Sequence, residues 1–240
     1  AHLLYQLSLE NNTIRAIFRK NSNLEAVKNV FSYFSEDFEN LSKKIEWVEA
    51  DITDVVALDK AFKNITEVYH SAALVSFNPK DYHKMRKINI EGTSNVVNFC
   101  IDKQVKKLCF VSSVATISKS INNKIIDETC EWNAEINNYG YAITKYGAEM
   151  EVWRASQEGV QIVIVNPGVI LGAGAGVIDE LDGDHEDMIA GGLAGALGIK
   201  EIWNIVKKKM DINHSVSSSH SSYKQKRIEE LEDELKEANK

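Results

Sequence analysis

The sequence predicts an α/β fold, a doubly wound parallel sheet followed by a mostly helical C-terminal tail. Three observations point there. Short apolar runs alternate along the chain with segments of helical period, the pattern of a parallel sheet covered on both faces. The runs stop at small or polar residues, namely Arg19, Asp51, Ser71-Ala72-Ala73, Ser113 and Pro167-Gly168. In such sheets ligands bind beyond the carboxyl ends of the strands. Finally, a segment of helical composition sets Tyr141 and Lys145 one turn apart on a shared face.

Taken in order, Ala1 to Leu7 opens as though in mid-helix, with no capping residue before it and no strand leading into it. Thr13 to Phe18 alternates as a strand does, and Arg19-Lys20-Asn21-Ser22 closes it. Asn23 to Phe34 then carries Leu24, Val27, Val30, Phe31 and Phe34 at helical spacing. A second strand spans Ile45 to Val48 and leads into Asp51-Ile52-Thr53-Asp54. Thr53 or Asp54 suits the N-cap of the helix that follows through Leu58 and Phe62. Val68 to His70 is a third strand passing into the small-residue loop Ser71-Ala72-Ala73, and His70 reads as a packed histidine at its end. A long helix from about Tyr82 to Asp102 leads to the apolar run Leu108 to Val111, which ends at Ser112-Ser113. After the Tyr141 helix, Gln161 to Val165 is the last clear strand, ended by Asn166-Pro167-Gly168. Proline suits that place because it cannot donate to a ladder.

Composition narrows the function. At 240 residues the chain can bury a core, most simply as one domain with appendages. A formal charge of -7 without a long Lys/Arg cluster argues against a nucleic-acid face. Three widely spaced cysteines, Cys100, Cys109 and Cys130, suit reduced thiols. No apolar run is long enough to cross a bilayer, so a soluble cytoplasmic protein without a membrane partner is expected.

Tyr141 and Lys145 have a chemical use as a pair. A free phenol has a pKa near ~10 and a lysine near ~10.4, so neither is a good acid–base group at neutral pH. An ammonium held beside the phenol favours the phenolate and lowers the tyrosine pKa. A serine hydroxyl from the preceding strand end can bond the same substrate oxygen. The apolar run before this helix ends in such serines, Ser112-Ser113, and no other tyrosine in the chain has a lysine four residues on.

Val111-Ser112-Ser113 followed by Tyr141-x-x-x-Lys145 resembles the extended short-chain dehydrogenase/reductase family, most closely its dihydroflavonol-reductase and 3β-hydroxysteroid-dehydrogenase-like branch. The resemblance runs from Ala1 to about Gly172 and implies a Rossmann-like sheet that binds a nicotinamide cofactor. It implies that Tyr141 acts as acid or base, with Lys145 holding the ribose and Ser113 the carbonyl oxygen, Ser112 and Thr116 being the fallback choices for that last role. Asn89 would support a water and the lysine. Asp51 and Ile52 would meet the adenine, and Ser71, Ala72 and Ala73 would let the backbone approach the cofactor. Pro167 and Val169 would hold the carboxamide. Arg19 stands where an arginine pairs the 2′-phosphate of NADP, so NADP is the expected cofactor, with NAD the alternative. No metal is expected: Asp182-Gly183-Asp184 with Asp187 misses the calcium-loop spacing. Gly172 to Gly176 likewise misses the phosphate-loop pattern.

Two departures from the family are expected to matter. The opening strand and its glycine-rich turn are absent, which would leave a sheet lacking its first strand with two unpaired inner edges. The likeness also ends at about residue 174. The domains expected are therefore an incomplete cofactor-binding domain over 1–174 and an atypical tail over 175–240. That tail has an acidic and glycine-rich loop, an amphipathic helix from Ile199, a serine-rich linker and a terminal helix. It leaves a homodimer open. Three functional readings follow: a reductase or dehydrogenase acting on a small-molecule carbonyl or alcohol, a nucleotide-sugar epimerase or dehydratase using the same residues, or a catalytically silent relative acting through association.

Overall fold

The computed structural model describes residues 1–10, 13–117, 130, 132–134 and 138–168, together with the backbone of 170–171 and 197–198. The tail expected over 175–240 falls almost wholly outside the described residues.

Five parallel strands form the frame, and they fall into two sheets. In the first, β1 (Ile14–Phe18) pairs with β2 (Ile45–Glu49), matching Ile14 with Ile45 and Phe18 with Glu49. In the second, β3 (Glu67–His70), β4 (Lys107–Val111) and β5 (Gln161–Val165) lie side by side with β4 in the middle. Among the described residues no strand bridges β1 and β3, so both inner edges are unpaired, as the sequence led one to expect. Short segments Ile170–Leu171 and Leu197–Gly198 also pair in parallel as β6 and β7.

Each half has its own core. Around β1 and β2, helices α1 (His2–Ser8), α2 (Leu24–Ser32) and α3 (Phe38–Lys43) enclose Ile14, Phe31, Leu41 and Ile45. Helix α3 was not read from the sequence: it has six residues, of which only Leu41 is buried, so its period is too short to register. Asn23 caps α2 by accepting from the Ala26 N–H. In the larger half, Leu108 and Phe110 of β4 face α4 (Val55–Ala61), α6 (Gly92–Asp102) and α7 (Gly140–Gln157), while Cys109 points to the opposite face. Arg15 of β1 ties the halves together by donating to the Ala61 and Lys63 carbonyls at 2.9 and 2.7 Å.

Asp54, one of two cap candidates, accepts from Val56 and Ala57 N–H and starts α4. The long helix expected from Tyr82 to Asp102 is interrupted. A 3₁₀ turn at Pro79–Asp81 leads into α5 (Tyr82–Met85), a π turn over Arg86–Glu91, and then α6. Such π turns concentrate at functional sites, and this one holds Asn89. Gly159, at φ 94°, ends α7 in a Schellman motif: Val160 N–H bonds the Ala155 carbonyl and Gly159 N–H the Ser156 carbonyl. That turn feeds β5 directly. Among the described residues, no helix is long and apolar enough to cross a membrane.

Candidate functional site

The strands are parallel, so His70, Val111 and Val165 all end on one side, and the candidate residues gather there. Beyond β4 the chain stays in step with β5, since Ser112 N–H donates to the Val165 carbonyl and Val114 N–H to that of Pro167. Ser113 is extended and caps a 3₁₀ turn over Val114–Thr116 by accepting from the Ala115 N–H at 3.1 Å. The Ser113 hydroxyl lies near enough to the Tyr141 phenol to favour its ionised form. Ser112 and Thr116, the fallback choices, point instead into the protein, where both donate to Glu149.

Tyr141 sits in the first turn of α7 with Lys145 one turn on. Burial raises the Tyr141 pKa above that of an ordinary phenol, and the nearby Ser113 hydroxyl opposes this without reversing it. The sequence led one to expect a depressed value. The physical reason for the difference is that desolvating the phenolate outweighs the polar neighbour that favours it. Lys145 is 2% exposed. Its ammonium donates to the Val111 carbonyl at 2.8 Å and lies 4.2 Å above the Phe110 ring centroid. Burial pulls its pKa down to about 8, and the Glu149 charge pushes the other way.

Asn89, 1% exposed, locks the loop after β3 onto α7. It accepts from Leu74 N–H at 2.7 Å, and donates to the Leu74 carbonyl and to Thr144 Oγ1 at 2.9 and 3.0 Å. Its direct partner is thus the neighbour of Lys145, with Lys145 itself bonded elsewhere. Ser71, Ala72 and Ala73 are exposed immediately beyond β3. Pro167 lies beside the Ser113 turn through its carbonyl, whereas Val169 is outside the described residues. His70 is buried, bonds Thr93 at 2.9 Å and packs on Phe110, and burial lowers its pKa to about 3.

Arg19 and Asp51 belong to the β1–β2 end. Burial disfavours the Asp51 carboxylate, but the Thr53 hydroxyl and N–H, with the Arg19 and Lys87 charges, hold its pKa below the usual value. Arg19 and Lys87 are both exposed. The Ile52 side chain is core, pressed against Gly92, where a β-carbon would come within 2.7 Å of it. A cavity of about 490 Å³ adjoins the start of α7, lined by Phe77, Tyr82, His83, Met85, Tyr139 and Ile143 among others. Tyr139 stacks between this cavity and the site, 5.7 Å from Phe77 and 6.3 Å from Tyr141 by ring centroids.

Sequence reasoning did not single out Glu149, Lys87 or Asn166. The spacing of Glu149 four residues after Lys145 was the available signal, but a glutamate on a helix ordinarily marks a solvated face.

Comparison with known proteins adds the following. A family model for NAD-binding proteins, described as "Male sterility protein", matches residues 1–217, which extends past residue 174. A dihydroflavonol 4-reductase from Dianthus caryophyllus is 25% identical over 180 residues, covering 71% of this chain and 48% of that one. Among solved structures, a thiolation-reductase di-domain from an archaeal non-ribosomal peptide synthetase is 26% identical with a TM-score of 0.60, covering 71% of this chain and 49% of that one. The Bordetella bronchiseptica enzyme WbmG, solved with NAD and UDP, shares the fold at 17% identity and a TM-score of 0.63, covering 89% of this chain and 65% of that one. The chain spans about half the length of the curated relatives it matches.

Proposed function

The chain belongs to the NAD-binding family described as male sterility protein, within the extended short-chain dehydrogenases/reductases, and on that premise we propose that it serves NADP-dependent reduction of a carbonyl compound. The observation that carries this reading is Tyr141 one helical turn from the buried Lys145, with the Ser113 hydroxyl near the phenol, at the shared carboxyl ends of β4 and β5. The donor set fits a dinucleotide. Arg19 and Lys87 offer positive charge at the β1–β2 end, Asp51 offers an acceptor, and Ser71-Ala72-Ala73 offers exposed backbone without bulk. A bound nicotinamide cofactor supplies the hydride.

The residues of the chain handle the proton and the geometry. Because burial raises its pKa, Tyr141 is protonated at neutral pH and suited to give its proton to a carbonyl oxygen. Ser113 donates to the same oxygen and fixes its position. Lys145, largely charged at neutral pH, favours the phenolate left behind. Pro167, Asp51, Ile52 and Asn89 are placed as binding or supporting residues by this reading, with Ile52 contributing backbone only because its side chain is core. The cavity lined by Phe77 and Tyr139 suits an apolar portion of the carbonyl compound.

The test is oxidation of NADPH against a panel of ketones and aldehydes, with Tyr141→Phe and Ser113→Ala alongside. Turnover that both substitutions suppress supports the reading; turnover indifferent to Tyr141→Phe overturns it.

A further inference from the structure

Glu149 is a carboxylate only 7% exposed, yet it is amply bonded. Its Oε2 accepts from Ser112 Oγ at 2.7 Å, Thr116 Oγ1 at 2.9 Å and Asn166 Nδ2 at 3.1 Å. Its Oε1 accepts from Trp153 Nε1 at 3.3 Å. These donors come from four places: the end of β4, the turn that Ser113 caps, the end of β5, and the next turn of α7. Asn166 also reaches Thr116 Oγ1 at 2.9 Å and the Ser113 carbonyl at 3.3 Å, so the cluster grips the peptide of Ser113 itself. One helical turn back along α7 is the buried ammonium of Lys145, and another turn back is Tyr141.

We infer that Glu149 is a positioning residue of this site: its carboxylate clamps the strand-end turn bearing Ser113 to the helix bearing Tyr141 and Lys145, and its charge balances the Lys145 ammonium. The inference rests on the oxidoreductase reading for its purpose, though not for its geometry. Burying a carboxylate costs several kcal/mol unless it is paired and hydrogen-bonded. A side chain serving only to fill space here would be apolar. With four donors on one carboxylate, the clamp is both directional and charged, and carboxylate acceptors make stronger bonds than neutral ones. The charges that bear on Lys145 are Glu149 on α7 and His70 on β3; burial keeps His70 neutral down to about pH 3, leaving Glu149 as the counter-charge between them.

The experiment is a pH titration of Lys145 by carbon-13 NMR at its Cε, in the unaltered chain, Glu149→Gln and Glu149→Asp, with thermal unfolding of each. Glu149→Gln keeps the shape and an acceptor oxygen but removes the charge. The Lys145 midpoint is expected to fall by about one pH unit. Glu149→Asp keeps the charge with a shorter reach, so it should hold the midpoint close to the unaltered chain while lowering the unfolding temperature. An unchanged midpoint in Glu149→Gln, or an equal drop in both variants, overturns the inference. If Glu149→Gln does not fold, Glu149→Gln combined with Lys145→Met is expected to fold, because the buried charge left without its partner is then gone; failure of that double variant also overturns it. The titration needs neither cofactor nor turnover. A chain that binds no nicotinamide nucleotide would therefore end the oxidoreductase reading and leave this result standing.

Discussion

In β4 the side chains of Leu108, Cys109 and Phe110 are fully buried, whereas in β1 Ile17 is 39% exposed and only Ile14 is buried. The same contrast marks the two ends of the candidate site. Around β3, β4 and β5 the chemistry-bearing groups are desolvated: Lys145, Asn89 and Glu149 are buried, and burial raises the Tyr141 pKa. Around β1 and β2 the charged groups, Arg19 and Lys87, stand in solvent. Proton transfer gains from a dry setting, where nearby charges act at low dielectric and burial moves pKa values. Recognition of a phosphate gains from exposed, adjustable cations. On the proposed reading, one half of the molecule serves the chemistry and the other the grip on the cofactor.

That contrast can be broken most sharply at Tyr141. Tyr141→Phe is expected to lower turnover by roughly 10²–10⁴-fold, the ordinary worth of a placed acid, with cofactor affinity retained; steady-state kinetics and a binding titration check it. A loss of affinity equal to the loss of turnover would show that the phenol serves grip as much as chemistry. In packing, Leu108→Ala is expected to cost about 3 kcal/mol, within the range for fully buried leucines. Ile17→Ala should cost about 1 kcal/mol, since Ile17 is already 39% exposed. Denaturant unfolding of the two variants compares the halves directly, and equal costs would erase the distinction.

The buried half should also be acid-sensitive through His70. Its folded pKa of about 3 lies below the ordinary 6.5, so as pH falls the unfolded chain takes up the proton first. Stability is therefore lost progressively from about pH 6.5 toward the folded value, by about 2 kcal/mol between about pH 7 and about pH 5. His70→Gln cannot titrate and should flatten that slope in urea unfolding at the two pH values. The exposed half should respond least. Arg19→Glu is expected to weaken NADPH by about tenfold and NADH by less, because only NADPH carries the 2′-phosphate; equal effects would remove Arg19 from the site.

Much of this was legible from residue patterns because the elements are locally consistent. Asp54, one of two cap candidates in the sequence, is the cap, and the apolar runs of β4 and β5 have no other use than burial. The resemblance put Ser113 ahead of Ser112, and the fold supplies the reason: as the chain leaves β4, Ser112 turns inward to Glu149. Asn89 was legible as a residue, but not its π turn, because π geometry leaves the apolar period of the helix nearly intact. Glu149 was illegible for the opposite reason: Ser112, Thr116 and Asn166, which donate to it, lie 37, 33 and 17 residues away along the chain, and no local pattern records them. The phenol pKa was misread because burial cannot be weighed from spacing.

The most direct test is calorimetric titration of the chain with NADPH and, separately, with NADH. Binding of NADPH tighter than that of NADH is the expected result, with the difference lost in Arg19→Glu. Equal affinity for the two would contradict the role of the exposed half, and no binding of either at millimolar concentration would contradict the cofactor reading as a whole.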